Sequence, residues 1–580
     1  MGTFKKILYF LVALALLSGC STKHPTVVLK VIETTDVHGS IFPYDFLNAK
    51  PIKHSLAQIS YYIKEQRKNP NQYVVLLDNG DVLQGNPDVY YYNYVDTTDT
   101  NLVVRVMNYL NYDAGTVGNH DIEPGHKIFD KVRAELHFPW LSANSVSTKT
   151  GKPYFKPYTV INKGGIKICV LGLTTPGIPD WVAPDKYKGI KFEDMVKTAR
   201  KWIKIIKQKE HPDLIIGLFH AGHDYTYGGE DSTMCCNQNA TLLVAKYVPG
   251  FDLILCGHDH DVFMDTVVNV AGDSVPVIDP GSHSLYIGVA TITMKWNNKL
   301  HKYTKHIVPQ IISTDTIPVD PAFMKKFAAD LNKVKKYVSD TVGYLTHPLD
   351  GRKVYFGDSK FMDFIHTVQL NVSHAQISFA APLRFDAYLD SGYVTVADMF
   401  KLYKYSNTLY TMRLKGSEIL KYLEFSADHW FNTMKSPSDH MLLFQNGTHR
   451  FKYRYYNFDS GEGIKYTVDL TKPDGHKVKI ISLQNGKPFD TSKYYTVAVN
   501  SYRGNGGGGL LTKGAGIPHD SLKYRIIRST NKDIRFYIMK YFETHHKVTP
   551  TVDNNWHLVP VSWAKQAEKR DWQFLFGNKK

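Results

Sequence analysis

Residues 112–126 read YDAGTVGNHDIEPGH. A short apolar run ends at Val117 and Gly118, and Asn119, His120 and Asp121 then set an amide, an imidazole and a carboxylate side by side. Gly, Asn and Asp are ordinary turn residues, so the stretch alone fits any loop. It gains meaning because the same design returns elsewhere. VVLKVIETTDVHGS, from Val27, ends in Asp36 and His38; YVVLLDNGDVLQGN, from Tyr73, carries Asp81. DLIIGLFHAGHD, from Asp213, ends in His220 and His223, and FDLILCGHDHD, from Phe251, ends in His258 and His260. Between these runs lie stretches with helical spacing, such as SLAQISYYIKEQRKN and FEDMVKTARKWIKIIKQKE. Buried β-branched runs alternating with helices indicate an α/β sandwich. Ligands of open α/β sheets gather beyond the carboxyl ends of the strands, so five runs deliver polar side chains to one edge.

Carboxylates, one amide and several imidazoles form a mixed oxygen and nitrogen donor set suited to borderline divalent metals. The absence of sulfur argues against a structural zinc cluster. A two-metal site for phosphate ester hydrolysis fits best: cations roughly 3.5–4 Å apart bind a phosphoryl oxygen, activate water and neutralise developing charge. Asp81 is the natural bridging carboxylate, and neutral Asn119 limits the negative charge that an anionic substrate meets. His120, beside it, is placed to act as electrophile or general acid toward the leaving oxygen.

The chain has 580 residues, 43% of them hydrophobic and 21% charged, enough for two or more domains with ordinary cores. Its 70 Lys and Arg against 54 Asp and Glu give a formal charge of +16, which favours anionic partners. The charge is spread along the chain with no arginine-rich arm, so no dedicated nucleic-acid binding is expected. The N-terminus, MGTFKKILYFLVALALLSGCSTK, pairs two lysines with an apolar run too short to span a membrane, then small residues before Cys20. It resembles a bacterial lipoprotein signal over residues 1–20 in which Cys20 is acylated. That implies an exported protein, lipid-anchored to a bacterial membrane and facing the periplasm or the cell surface. Cys169 and Cys256 lie in apolar runs and read as buried small residues. Cys235 and Cys236 could pair with each other, pair elsewhere, or not pair.

The order D-x-H, GD, GNHD, H-x-G-H and GHDH resembles the calcineurin-like metallophosphatase superfamily, most closely its nucleotidase branch. The resemblance implies two divalent metal ions (Mn, Zn, Fe, Co or Mg). One would be held by Asp36, His38, Asp81 and His260, the other by Asp81, Asn119, His220 and His258. His120 matches the catalytic histidine, and Glu123 stands where many members carry an Asp that orients it. Some bacterial 5′-nucleotidases have Gln where this chain has His260. The implied fold is a four-layer αββα metallophosphatase sandwich over residues 26–310, a linker helix over 311–345, and a second α+β nucleotide-binding domain over 346–555. A tail over 556–580 either docks or frays.

The second domain's resemblance to the family's C-terminal nucleotide-binding domain rests on three stretches: ISFAAPLRFDAYLDSGYVTVADMFKLYKYSNTLYTMRLKGSEILKYLE, YYNFDSGEGIKYTVDLTKPDGHKV and YTVAVNSYRGNGGGG. In the family two aromatics sandwich the base; here Tyr456 and Tyr502 fill that role, with Phe458 as the rival of Tyr456. Gly506 to Gly509 would let backbone approach a ligand. Arg384 meets either phosphate or a surface acid. The expected enzyme is a monomer hydrolysing 2′,3′-cyclic nucleotides and 3′-nucleotides. A 5′-nucleotidase, a nucleotide-sugar hydrolase, a hydrolase of a non-nucleotide ester, and a non-catalytic nucleoside-binding lipoprotein are the alternatives.

Overall fold

The computed structural model describes residues 25–227, 231–233, 236–445 and 448–577. Cys20 and Cys235 therefore lie outside the described residues. In the first half, Val27–Thr34, Tyr73–Asp78, Ala114–Thr116 and Trp140–Leu141 pair in parallel, and antiparallel Tyr286–Asn297 and Lys302–Ser313 complete a six-stranded sheet. A second six-stranded sheet runs in the order Val262–Val268, Ser274–Pro280, Leu253–Cys256, Leu214–His220, Ile166–Thr174 and Tyr158–Lys163, with its four central strands parallel.

The strand sequences show why the sheets stack. Along Tyr73–Asp78, Val75 and Leu77 enter a core shared between the sheets, while Val74 and Leu76 face outward into a cluster that includes the helix Leu102–Leu110. Along Leu214–His220, Leu214, Ile216 and Leu218 point inward, and Ile215 and Phe219 pack toward the helix Met195–Glu210. A strand buried on both faces reads as a continuous apolar run rather than an alternating one. The result is the four-layer αββα arrangement.

Residues 311–345 do not form one linker helix. Ile311 to Ser313 still belong to the edge strand Lys302–Ser313; the helices Pro321–Lys326 and Ala328–Ser339 follow, and Thr341–Leu345 is a strand of the second domain. Phe323, Phe327, Val334 and Val338 bury into the outer helical cluster of the first domain. The helical spacing was real, but the chain is non-helical at Phe327, where φ is −106° and ψ is 15°.

The second domain is α+β. Its five-stranded sheet has the order Ser460–Glu462, Ile377–Ala380, Tyr494–Asn500, Thr408–Lys415 and Ile526–Asp533. Lys360–Ser373 and Gly416–Trp430 pack in its core. The tail docks rather than frays. Trp556–Val559 pairs in parallel with Ile464–Asp469, and the helix Val561–Phe576 buries Asp571 against the backbone N–H groups of Met441 and Leu442. Arg535 of the second domain lies over Tyr90 of the first and over Phe400, 4.6 and 4.0 Å from the ring centroids, tying the halves together. No helix among the described residues is long and apolar enough to cross a membrane.

Candidate active site

The polar residues after the strand ends converge at one edge. Asp36, His38, Asp81, His258 and His260 all have positive φ, between 47° and 86°. Left-handed backbone is uncommon outside Gly, Asn, Asp and His, and it clusters where a surrounding structure over-determines a functional geometry. Two glycines permit the close approach. A Cβ on Gly118 would overlap Asp81, and one on Gly257 would overlap Thr35 and Asp36.

Hydrogen bonds fix the histidine tautomers. His220 Nδ1 lies 2.6 Å from the Asn79 carbonyl, which can only accept, so the proton is on Nδ1. Its Nε2 then faces two acceptors, Asn119 Oδ1 at 3.0 Å and Asp81 Oδ2 at 3.3 Å. His38 Nδ1 likewise donates to the Gln84 carbonyl at 2.9 Å, leaving His38 Nε2 3.1 Å from His260 Nε2. Asp36 Oδ1 and Asp81 Oδ2 are buried carboxylate oxygens without a hydrogen-bond partner. Orphaned charged oxygens cost several kcal/mol unless a cation meets them. Lone pairs facing lone pairs around two orphaned carboxylates fit divalent ions.

Two compact donor groups result, Asp36–His38–His260 and Asp36–Asp81–His220, the donor atoms of each within 4.8 Å of one another. Asp36 belongs to both groups, whereas Asp81 was the expected bridge; Asp81 Oδ2 nevertheless lies 3.8 Å from His38 Nε2. His258 joins neither group and flanks them, its ring 5.3 Å from that of His220. Burial opposes protonation of His38 and, with the neighbouring His260, pushes it down to about 3. At His220 burial is outweighed by Asp81 and Asp36, which push it up to about 10 and so register the need for positive charge there.

His120 stands beside the donors, its ring 5.5 Å from that of His38. Glu123 Oε2 accepts from its Nδ1 at 2.6 Å, so the longer carboxylate reaches the imidazole from one helical turn away. The backbone N–H of His120 donates to Asp81 Oδ1 at 2.8 Å.

In the second domain Tyr456 and Tyr502 are both half-buried. Burial, and then Tyr227 of the first domain and Tyr502, hold the Tyr456 phenol well above its usual range. The glycine run seats Tyr502, since a Cβ on Gly507 would meet its ring at 2.5 Å. Buried Arg503 ties the two aromatic loops. It donates to the Tyr456 carbonyl at 3.1 Å and pairs with Asp459 at 2.7 Å. Phe458 is not a base-stacking residue. It is fully buried and stacks on Trp430 at 5.5 Å, because the short turn Tyr455–Asn457 sends it inward. Arg384 is half-buried and makes no ion pair with any described residue, so it does not cap a surface acid.

Comparison with known proteins matches residues 29–262 to the calcineurin-like phosphoesterase model and residues 341–513 to the 5′-nucleotidase C-terminal domain model. The chain joins a calcineurin-like phosphoesterase domain to a 5′-nucleotidase C-terminal domain. Residues 5–21 match the prokaryotic membrane lipoprotein lipid attachment site, which marks the protein as exported and lipid-anchored. The chain is 29% identical to the trifunctional nucleotide phosphoesterase protein YfkN of Bacillus subtilis over 93% of its own length, but spans only 39% of that relative. It is 26% identical to the 2′,3′-cyclic-nucleotide 2′-phosphodiesterase/3′-nucleotidase of Yersinia enterocolitica, covering 96% of this chain and 92% of that one. Among solved structures, a putative 5′-nucleotidase from Staphylococcus aureus shares the fold with a TM-score of 0.75 at 20% identity, over 92% of this chain and 99% of that one.

In the phosphoesterase domain, sequence reasoning missed three residues. Asp121, the last letter of GNHD, accepts from the backbone N–H groups of Asp81, Val82, Leu83 and Gly118 at 2.8–3.0 Å and so locks two ligand loops together. Its place in the motif was a usable signal. His283 approaches His38 and His260 at 5.4 and 5.8 Å, and Trp181 covers His258 at 5.4 Å. His283 follows the apolar strand Ser274–Pro280 through Gly281 and Ser282, a strand-end signal that went unused, whereas Trp181 carries no such signal. At the domain boundary, Arg454 of the nucleotidase-type domain donates to the Tyr227 hydroxyl of the phosphoesterase domain at 2.9 Å.

Proposed function

We propose that the protein hydrolyses nucleotides, with 2′,3′-cyclic nucleotides and 3′-nucleotides as preferred substrates and nucleoside and phosphate as final products. The observation that carries this reading is the pair of orphaned carboxylate oxygens on Asp36 and Asp81, ringed by imidazoles. The full-length likeness to 2′,3′-cyclic-nucleotide 2′-phosphodiesterase/3′-nucleotidases of Yersinia and Salmonella supports the substrate choice. The likeness to the Vibrio cholerae 5′-nucleotidase, 26% identical over 71% of this chain, keeps 5′-nucleotides as the second reading.

Asp36, His38, Asp81 and His260 would hold one divalent ion, and Asp81, Asn119, His220 and His258 the other. Bound there, Mn, Zn, Fe, Co or Mg would supply Lewis acidity toward a phosphoryl oxygen and an acidified water. The chain's own groups do the rest. Tyr456 and Tyr502 stack the base, which is worth about 1–3 kcal/mol per base, and thereby fix where the phosphoryl group lies. Arg384, without an ion pair among the described residues, offers a cation to phosphate. Glu123 holds His120 Nδ1, leaving Nε2 to deliver a proton or positive charge to the leaving alkoxide. For a cyclic diester, cleaving the 2′ bond leaves a 3′-monoester for a second round at the same centre. The protein would act as a monomer tethered through Cys20, facing the periplasm or cell surface.

The test is hydrolysis of 2′,3′-cyclic AMP, 3′-AMP and 5′-AMP by the soluble protein lacking residues 1–20, chelated and then resupplied with Mn²⁺ or Zn²⁺. Metal-dependent turnover favouring the first two substrates is expected. Preference for 5′-AMP would move the reading to a 5′-nucleotidase, and no turnover with metal bound would remove it.

A further inference from the structure

A second group of carboxylates lies in the C-terminal domain, on elements that take no part in the catalytic edge. Asp358 precedes the helix Lys360–Ser373, and Asp363 sits in its first turn. Glu462 ends the strand Ser460–Glu462, and Asp553 lies in the connection before Trp556–Val559. The donor oxygens of Asp358, Asp363 and Asp553 lie within 4.8 Å of one another. None of the four acids forms an ion pair with any described residue, in a chain that carries 16 surplus positive charges.

Acidic clusters are common on surfaces, but this one has buried oxygens that lack partners. Asp363 is 8% exposed, its Oδ1 meets no donor, and the Asp358 carboxyl lies against its side chain. Its other oxygen accepts from the Asp553 N–H at 3.0 Å, which fixes the carboxylate plane. Asp358 Oδ2 meets no donor either. Two residues hydrogen-bonded to Asp553 each keep a buried amide oxygen without a partner. Gln484 donates through Nε2 to Asp553 at 2.7 Å and leaves Oε1 buried without a partner. Asn555, 3% exposed, donates its backbone N–H to Asp553 Oδ1 at 3.0 Å and its Nδ2 to the Gly461 and Ile464 carbonyls, leaving Oδ1 orphaned. Burial, with Asp358 beside it, pushes Asp363 up to about 9.

We infer that Asp358, Asp363, Glu462 and Asp553, with the amide oxygens of Gln484 and Asn555, form a calcium site. The donor set is oxygen alone, which selects hard cations over zinc, copper or nickel. Calcium takes six to eight oxygens at about 2.3–2.6 Å, so its donors lie no more than about 5 Å apart, and the oxygens of Asp358, Asp363 and Asp553 are within 4.8 Å of one another. Magnesium demands near-ideal octahedral geometry and keeps several waters, which a crowded set of four carboxylates, two of them buried, does not suit. The ion would join the N-terminus of Lys360–Ser373 to one end of the three-stranded sheet, where Ile464–Asp469 and Trp556–Val559 begin and Val478–Leu483 finishes. It would thus clamp the docked C-terminal segment to the nucleotide-binding domain.

The inference uses nothing from the catalytic reading, so each can fail without the other. The test takes the whole soluble chain, chelated and then titrated with calcium and, separately, with terbium. Calcium should raise the melting temperature by at least about 2 °C. Terbium emission should be sensitised by Tyr466 and Trp556, stacked 5.5 Å apart beside the group. Both responses should be lost in an Asp363→Asn/Asp553→Asn variant that keeps its catalytic metal and its turnover. Glu462→Gln, a milder change at the rim, should weaken calcium binding several-fold and serves if the double variant does not fold. A wild-type chain indifferent to calcium would overturn the site. So would a response that survives in Glu462→Gln but disappears in Asp81→Asn, which would assign calcium to the catalytic edge.

Discussion

Glu123 Oε2 and His120 Nδ1 stand 2.6 Å apart, one helical turn from each other, on the segment that also carries Asn119. Orientation reaches the imidazole through this contact, and Glu123 joins Asp81 in favouring its positive charge against burial. Replacing Glu123 by Gln keeps an acceptor but removes the charge that favours an imidazolium. Turnover is expected to fall about 10–100-fold, and that of His120→Ala about 100–10,000-fold, in keeping with general acid contributions. Elemental analysis should show metal content unchanged in both. A His120→Ala protein with full kcat would remove the residue from the reaction.

Asp81 serves both proposed ion sites, its Oδ2 3.8 Å from His38 Nε2 and 3.3 Å from His220 Nε2, whereas His260 serves one. Asp81→Ala should therefore strip all catalytic metal on dialysis, while His260→Ala retains part of it. Equal retention by the two variants would show that Asp81 does not link the two sites.

Arg503 and Asp459 form a buried ion pair at 2.7 Å behind the aromatic slot. Arg503→Met leaves the Asp459 carboxylate buried and unpaired, with an expected loss of about 3–5 kcal/mol measured by urea unfolding. Tyr502→Ala, in contrast, should leave stability nearly intact and raise KM for nucleotides about 5–150-fold, the equivalent of about 1–3 kcal/mol of stacking. Its kcat for 4-nitrophenyl phosphate, which has no base, should not change. A parallel loss on both substrates would place Tyr502 outside base recognition.

His366 is buried between the Ser378 and Ser460 hydroxyls, and burial pushes it down to about 3. The unfolded chain binds a proton there near pH 6.5, and the folded chain does not. Its contribution is complete above pH 6.5 and is lost as pH falls toward 3, with a slope approaching about 1.4 kcal/mol per pH unit. His366→Gln should flatten the stability profile between pH 3 and 6.5. An unchanged slope would mean that His366 does not stay neutral in the fold.

Much of the catalytic edge was readable because each ligand follows directly on an apolar strand, so local sequence carries the placement. The sandwich was readable for the same reason: doubly buried strands announce themselves as unbroken apolar runs. What escaped depends on long-range packing. Phe458 and Tyr456 look alike as candidates two residues apart, and only the turn at Tyr455–Asn457 sends one to the core and leaves the other in the cleft. His283 follows the strand Ser274–Pro280, but that it meets His38 and His260 depends on packing between distant segments. The tail's docking rests on pairing between Trp556–Val559 and Ile464–Asp469, nearly a hundred residues upstream, which no local periodicity reveals.

The left-handed backbone at Asp36, His38, Asp81, His258 and His260 also restricts what the protein can become. Only Gly, Asn, Asp and His adopt that conformation readily. Drift or directed evolution at these five positions is therefore channelled among oxygen and imidazole donors or no donor at all, and thiolate ligands are disfavoured by the main chain itself. The scaffold can exchange one borderline or hard metal for another in response to supply, yet it has little route toward the soft-metal chemistry that cysteine would open.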